Sequence, residues 1–300
     1  MTATRDKFGR PIVVVTGMGV VTSLGAGKTD NWKKLTAGES GIRTITRFPT
    51  DGLKTTMAGA VDFVPVEPFS STDLSERLAD IATEEAIAQS AIGSKGDFPG
   101  PLFLAVAPVE VEWPQRLELG RAIGATVDYD GMLRVSGGGR FTQYHRRFLF
   151  GSVADHLAET FGTKGSPISL STACASGASA IQLGVEAIRR SEADAALCVA
   201  TDGSVNPEAL VRFSLLSALS THNDPPQAAV RPFSKNRDGF VMAEGAGALV
   251  LESYEAATAR GAKILGIVAG CGELADSFHR TRSSPDGKPI IGCWHRLRPD

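Results

Sequence analysis

Pro167-Ile168-Ser169-Leu170-Ser171-Thr172-Ala173-Cys174-Ala175-Ser176-Gly177 is the segment whose reading decides the fold. Its first residues, Pro167-Ile168-Ser169-Leu170, read as a strand. Thr172-Ala173-Cys174 reads as a turn. The alanine-rich stretch from Ala175 to Arg190 reads as a helix. Ala195-Ala196-Leu197-Cys198-Val199-Ala200 then supplies the next strand. A strand, a helix and a second strand in this order predict a layered α/β fold with a mostly parallel sheet.

Outward from this centre the alternation continues. Toward the N-terminus, Ile12-Val13-Val14-Val15 is a β-branched strand ending at Thr16-Gly17, and a helix follows over about 30–37, stopped by Gly38. Residues 43–72 mix prolines and glycines with polar residues and read as an excursion from the core. Asp73 is placed to cap a helix over about 74–92, with Glu76 at the capping-box position and Gly93 beyond the end. Leu102-Phe103-Leu104-Ala105-Val106 is a further strand. Residues 108–140 show no period, and Gly137-Gly138-Gly139 reads as a mobile loop before a helix over about 152–161. Strands over 247–251 and 264–269 flank a helix over about 254–260.

Composition sets bounds on function. The 300 residues are 42% hydrophobic and 21% charged, enough to bury a large core. A net charge of −2 argues against binding nucleic acid through bulk positive charge. Cys174, Cys198, Cys271 and Cys293 are irregularly spaced with no Cys-x-x-Cys pair, so neither a zinc site nor a disulfide scaffold is expected. Free thiols, a polar N-terminus and the lack of a long apolar run predict a cytoplasmic protein that does not span a membrane.

Cys174 stands where a buried strand hands over to a helix. The positive end of the helix dipole favours a thiolate there, and the free N–H groups of the first turn suit an oxyanion. Ala173, Ala175, Ser176 and Gly177 leave room for a carbonyl group. The same segment equally fits a small buried cysteine that fills space. Cys198 lies inside an apolar strand and reads as structural; Cys271 and Cys293 have no helix-start context.

Four stretches carry a family resemblance. They are Thr172 to Gly177, then Val15-Thr16-Gly17-Met18-Gly19-Val20-Val21-Thr22, then Ala218-Leu219-Ser220-Thr221-His222-Asn223-Asp224-Pro225, and the run Arg231 to Gly247 that begins Arg231-Pro232-Phe233-Ser234. In this order the chain resembles the β-ketoacyl-acyl-carrier-protein synthases, over roughly residues 11–292. The subgroup it most resembles is the condensing enzymes of fatty acid elongation, with polyketide synthases sharing the motifs. The resemblance implies a thiolase-like layered fold with a mostly parallel or mixed sheet and an incomplete second half. It divides the chain into a synthase N-terminal domain over 1–256 and the start of a truncated C-terminal domain over 257–300. It implies that Cys174 takes an acyl group from the phosphopantetheine arm of an acyl carrier protein. Malonyl carrier then loses carbon dioxide, and its carbanion attacks the acyl-cysteine. No metal or cofactor of the enzyme's own is implied, since phosphopantetheine belongs to the carrier. A homodimer, with an interface near Ile168 to Thr172, or pairing with a full-length synthase is implied too.

The chain also departs from the family. None of His145, His156, His222, His279 and His295 is followed by Gly-Thr, the motif that carries one of the family's two catalytic histidines. The segment from Trp294 to Asp300 does not resemble the expected continuation, so a truncation near Cys293 and weak condensation are expected. Without those groups the chain could also serve only as a dimer partner. Thiolase-like chemistry on coenzyme A thioesters shares the fold, but the Arg231 to Gly247 stretch favours the carrier-protein branch.

Other candidates are weaker. Gly17-Met18-Gly19 lacks the third glycine of a dinucleotide fingerprint and reads as a structural turn. Gly245-Ala246-Gly247 precedes a strand and reads as a close-packing device. Arg146 and Arg147, beside Arg140, Phe141, Tyr144 and His145, could dock an acidic carrier protein or form an ordinary solvated face. Asp202 and Glu244 read as loop-holding hydrogen-bond acceptors, and Arg231, Lys235, Arg237 and Asp238 as structural ion pairs.

Overall fold

The computed structural model describes residues 4–94, 96–124, 128–279 and 282–297. In chain order it contains β1 (Val13–Thr22), β2 (Gly25–Ala26), α1 (Lys28–Thr36), β3 (Arg43–Thr44), β4 (Met57–Ala58), α2 (Ser71–Ser90) and β5 (Leu102–Val106). Then come α3 (Trp113–Ile123), α4 (Tyr129–Gly137), α5 (Thr142–Arg147), α6 (Ser152–Phe161), β6 (Ile168–Leu170) and α7 (Ser176–Arg189). The chain continues through β7 (Ala195–Asp202), α8 (Pro207–Leu215), β8 (Gly245–Ser253), α9 (Tyr254–Ala259), β9 (Gly266–Ile267) and α10 (Lys288–Leu297). Among the described residues no helix is long and apolar enough to cross a membrane.

One seven-stranded sheet runs β2-β1-β8-β7-β5-β6, with β9 also on β1. β5 pairs in parallel with β6 and β7, whereas β8 lies antiparallel to both β1 and β7. The expected mostly parallel sheet is therefore mixed. The strand before the nucleophile segment follows the βαβ rule, while the long connection after β7 brings β8 back in the opposite direction. Side chains alternate along the strands, so the sheet has a core on each face. Leu102, Leu104, Leu197, Val199 and Val250 pack with α2 and α6; Phe103, Ala105, Ala196, Cys198 and Leu251 pack with α7.

Gly17 and Gly19 do not form a turn. Both lie within β1, next to a register shift between Val15 and Gly17. A Cβ on Gly17 would sit 2.1 Å from the Ala86 carbonyl oxygen, and one on Gly19 1.8 Å from that of Ala82. Their function is to let the backbone of α2 lie directly on the strand. Gly19→Ala is expected to lower stability by about 1–3 kcal/mol, because neither strand nor helix backbone can move aside cheaply. Urea unfolding checks this, and an unchanged midpoint would contradict it.

The cap of α2 also differs from expectation. Ser70, not Asp73, is the N-cap, its hydroxyl accepting from the Asp73 N–H at 3.3 Å. With Ser70 as the cap, Glu76 lies beyond the capping-box position, and its carboxylate accepts from Arg147 at 2.6 Å. The helix stops at Ala91, in the left-handed region at φ 52°, before Gly93 is reached. Glu112 reaches the same N-terminus and accepts from the Ser71 N–H at 2.7 Å; burial pushes its carboxyl pKa up.

Within 108–140 the described residues form two helices, α3 and α4, and Gly137 ends α4. No residue of α3 is buried, and only Gly131 of α4 is. With so little surface to bury, these helices need no apolar stripe, so they leave no periodic pattern in the sequence. The excursion over 43–72 carries the small β3–β4 ladder and packs through Ile45, Ala58 and Ala60 against Val205, Leu210 and Met242.

Candidate active site

The handover from β6 to α7 fixes the nucleophile turn. Ala173 takes φ 53°, a left-handed conformation uncommon for alanine. Ser176 holds it there. The Ser176 hydroxyl accepts from the Thr172 N–H at 2.8 Å and donates to the Ala173 carbonyl at 2.6 Å, bridging the strained residue. This serine is the device that a reading of helix propensity misses. Small polar residues compete for backbone groups at such turns.

Cys174 follows directly and is solvent-exposed, not a buried space-filler. Among the described residues, the N–H groups of Cys174, Gly177 and Ala178 donate to no protein acceptor. The arrangement joins an accessible thiol, a fixed turn and unfilled donors. These are the parts that attack on a carbonyl and stabilisation of the resulting oxyanion require. Beside the first turns of α7 lies a cavity of about 360 Å³, walled by Ala175, Ala178, Ile181, Val268 and Leu274.

Cys198 is buried against α7, where a Cβ on Gly184 would come within 2.4 Å of its sulfur. Burial pushes its thiol pKa far above the usual range, so it is an inert core residue. Cys271 is half-buried, and burial raises its thiol pKa as well; Cys293 is also half-buried.

Arg146 and Arg147 lie on α5, away from the α7 face. Arg147 is held at the start of α2, in ion pairs with Asp73 and Glu76. Arg146 is exposed. Of the expected loop-holding acids, Asp202 accepts from the Ser204 N–H at 2.9 Å. Glu244 has a fully buried side chain and accepts from Arg47, the Val61 N–H and the Val205 N–H. Burial works against the charge of Arg47, but its bonds to Glu244 outweigh this and raise its pKa. Gly245 opens β8, where a Cβ would meet the Val21 oxygen at 2.7 Å, so close packing is its function.

The cluster over 231–238 does not form the expected ion pairs among the described residues. Asp238 instead accepts from the Ser220 hydroxyl at 2.7 Å and the Thr221 N–H at 3.1 Å, and the Ser220 bond leads in lowering its pKa. Arg231 donates to the Ala228 carbonyl and contacts His222. Short loop acceptors lie nearer to these side chains than the opposite charges do.

Comparison with known proteins agrees with this geometry. The family described as "Beta-ketoacyl synthase, N-terminal domain" matches residues 10–257. The tetracenomycin polyketide synthase ketoacyl synthase alpha subunit of Streptomyces glaucescens is 35% identical over 93% of this chain and 66% of its own length. The 3-oxoacyl-[acyl-carrier-protein] synthase 2 of Vibrio cholerae is 34% identical over 92% of this chain and 66% of its own. Among solved structures, a type II polyketide ketosynthase in complex with its acyl-carrier protein superposes with a TM-score of 0.77 at 30% identity. That match covers 97% of this chain and 71% of the other. The chain thus spans 66% of the length of the curated relatives it matches. It belongs to the β-ketoacyl synthase family and carries that family's N-terminal domain.

Proposed function

We propose that this chain is an acyltransferase of the condensing type, in which Cys174 takes an acyl group from a carrier-protein thioester. The supporting observation is the exposed thiol on a turn locked by Ser176, beside first-turn N–H groups with no other acceptor. The thiolate attacks the thioester carbonyl, the carbon–sulfur bond of the carrier breaks, and the pantetheine thiol leaves with the proton. Phosphopantetheine arrives on the carrier, so the chain needs no cofactor of its own for this step. Release of free carrier thiol, followed by a chromogenic disulfide, tests it; no release in the presence of folded protein would refute it.

The later decarboxylation and carbon–carbon bond formation need acid–base groups. His156 is held by Asp80 at 3.0 Å and His222 by Arg231 at 2.8 Å. A positioned general acid or base is worth about 10²–10⁴-fold. Loss of such a group is expected to slow condensation by that factor. Fatty acid and polyketide relatives match with nearly equal identity, so the acyl substrate is assigned only as a carrier thioester.

Pairing with a second copy or a fuller synthase is a supported second reading. β6 is a sheet edge with Ile168 45% exposed, and Leu215 and Phe233 are 80% and 101% exposed. Open strand edges and apolar patches favour association. Sedimentation at micromolar concentration is expected to show a dimer or larger species; a single monomeric boundary would contradict this.

A further inference from the structure

We propose that Glu273 is a positioning residue for Cys174, holding the nucleophile turn through Ser179 and Thr172. The inference rests on the reading of Cys174 given above. It concerns a segment beyond residues 10–257, the part that the family comparison matches.

Two short contacts carry it. Ser179 sits one turn into α7 and is buried. Its hydroxyl donates to Glu273 Oε1 at 3.0 Å and lies 2.9 Å from Thr172 Oγ1. A carboxylate only accepts, and the charge-assisted bond is the stronger one, so the Ser179 proton goes to Glu273. The Ser179 oxygen must then accept from the Thr172 hydroxyl. The order is therefore fixed: Thr172 donates to Ser179, and Ser179 donates to Glu273. Without the carboxylate, the Ser179 hydroxyl is left with the longer bond to the Ala175 carbonyl at 3.3 Å, and the chain of bonds that starts at Thr172 loses its short, charge-assisted end.

Thr172 is also the residue whose N–H is held by Ser176, so the strand side of the Cys174 turn is pinned by backbone and side chain together. Glu273 is itself anchored. Its carbonyl accepts from Arg296 of α10 at 2.9 Å. Next to it, a Cβ on Gly272 would come within 2.5 Å of the Cys293 oxygen, so glycine lets α10 sit against this strip. Through Glu273 the tail thus contacts the first turn of α7.

The test compares Glu273→Ala, Glu273→Gln, Thr172→Val and the double variant Glu273→Ala/Thr172→Val in the full chain. The rate of acyl transfer to Cys174 is set against iodoacetamide alkylation of the same thiol and the thermal midpoint. Misplacing a reacting group slows an oriented attack far more than an unoriented one. Glu273→Ala and Thr172→Val are expected to slow acyl transfer about tenfold, with alkylation changed by less than about twofold and the midpoint unmoved. Glu273→Gln keeps an acceptor oxygen and is expected to recover to within about threefold of wild type. The double variant is expected to match the singles, since both act through one chain of bonds. Wild-type transfer in Glu273→Ala, no recovery in Glu273→Gln, or fully additive losses would overturn the proposal. If wild-type Cys174 takes no acyl group, the acyltransferase reading fails, and positioning is then read from hydrogen exchange. In that case faster exchange of the Thr172 amide in Glu273→Ala supports it and unchanged exchange refutes it.

Discussion

Cys174→Ala is expected to abolish acyl capture while leaving the fold intact. The side chain is exposed, so its removal opens no cavity, and the turn is held by Ser176 and Thr172 rather than by the thiol. Stability should change by no more than about 0.5 kcal/mol, as for surface sites without special contacts. Transfer should fall to background, because Cys198 is buried with its thiol pKa pushed far up and cannot substitute. Cys174→Ser should fail nearly as completely, since a hydroxyl at that position has no adjacent base among the bonds of the turn. Intact-mass measurement after exposure to acyl-carrier thioester reads both effects. Persistent single-site acylation in Cys174→Ala would move the nucleophile elsewhere.

Glu244→Ala is expected to have the largest effect on stability, about 3–5 kcal/mol, as removal of one member of a buried charge pair does. Glu244 is an acceptor that binds three distant segments. It accepts from Arg47 at 2.6 Å, from the Val61 N–H at 2.8 Å and from the Val205 N–H at 3.0 Å. Its side chain is fully buried and that of Arg47 is 14% exposed. The alanine variant would leave two backbone donors without an acceptor and the mostly buried guanidinium with Asp62, at 2.9 Å, as its remaining charged partner. Arg47→Ala should be nearly as harmful, because it strands the carboxylate. Glu244→Gln should be milder, since one oxygen can still serve a backbone donor. Chemical unfolding monitored by circular dichroism checks the series. A loss below about 1 kcal/mol for Glu244→Ala would mean that water replaces the pair.

Much of this architecture is legible in the residues, and the reasons for the rest are local. The strand, turn and helix around Cys174 stand out because a short apolar run meets an alanine-rich one. β5 and the first six residues of β7 are apolar because both faces of the sheet are covered there. The mixed sheet agrees with the fold the resemblance implies; that β8 is its antiparallel member is not legible, because direction depends on the connection over 203–244 and not on the strand's composition. Gly17 and Gly19 look like a turn in sequence because glycine breaks patterns. What they provide, close approach of α2, requires knowing that Ala82 and Ala86 lie opposite. α3 and α4 were hidden because they bury almost nothing. At the site, the helix-start context makes Cys174 a candidate nucleophile but equally fits a space-filling cysteine, and the family resemblance carries the choice between them. Ser176 was read only as a small neighbour, and Ser179 and Glu273 were not singled out. A hydroxyl that bridges a backbone turn and a carboxylate from a distant segment leave no periodic mark. The loop-holding roles of Glu244 and Asp202 were legible; the acceptors of the 231–238 cluster were not, because short-range loop bonds displaced the expected ion pairs.

The measurement that tests the central claim most directly is proteolytic mapping of the acyl group after wild-type protein meets a carrier-bound acyl thioester. One acyl mass on the peptide containing Cys174, and on no other cysteine peptide, is the expected result. Folded protein that takes no acyl mass, or takes it at Cys271 or Cys293, would contradict the assignment of Cys174 as the nucleophile.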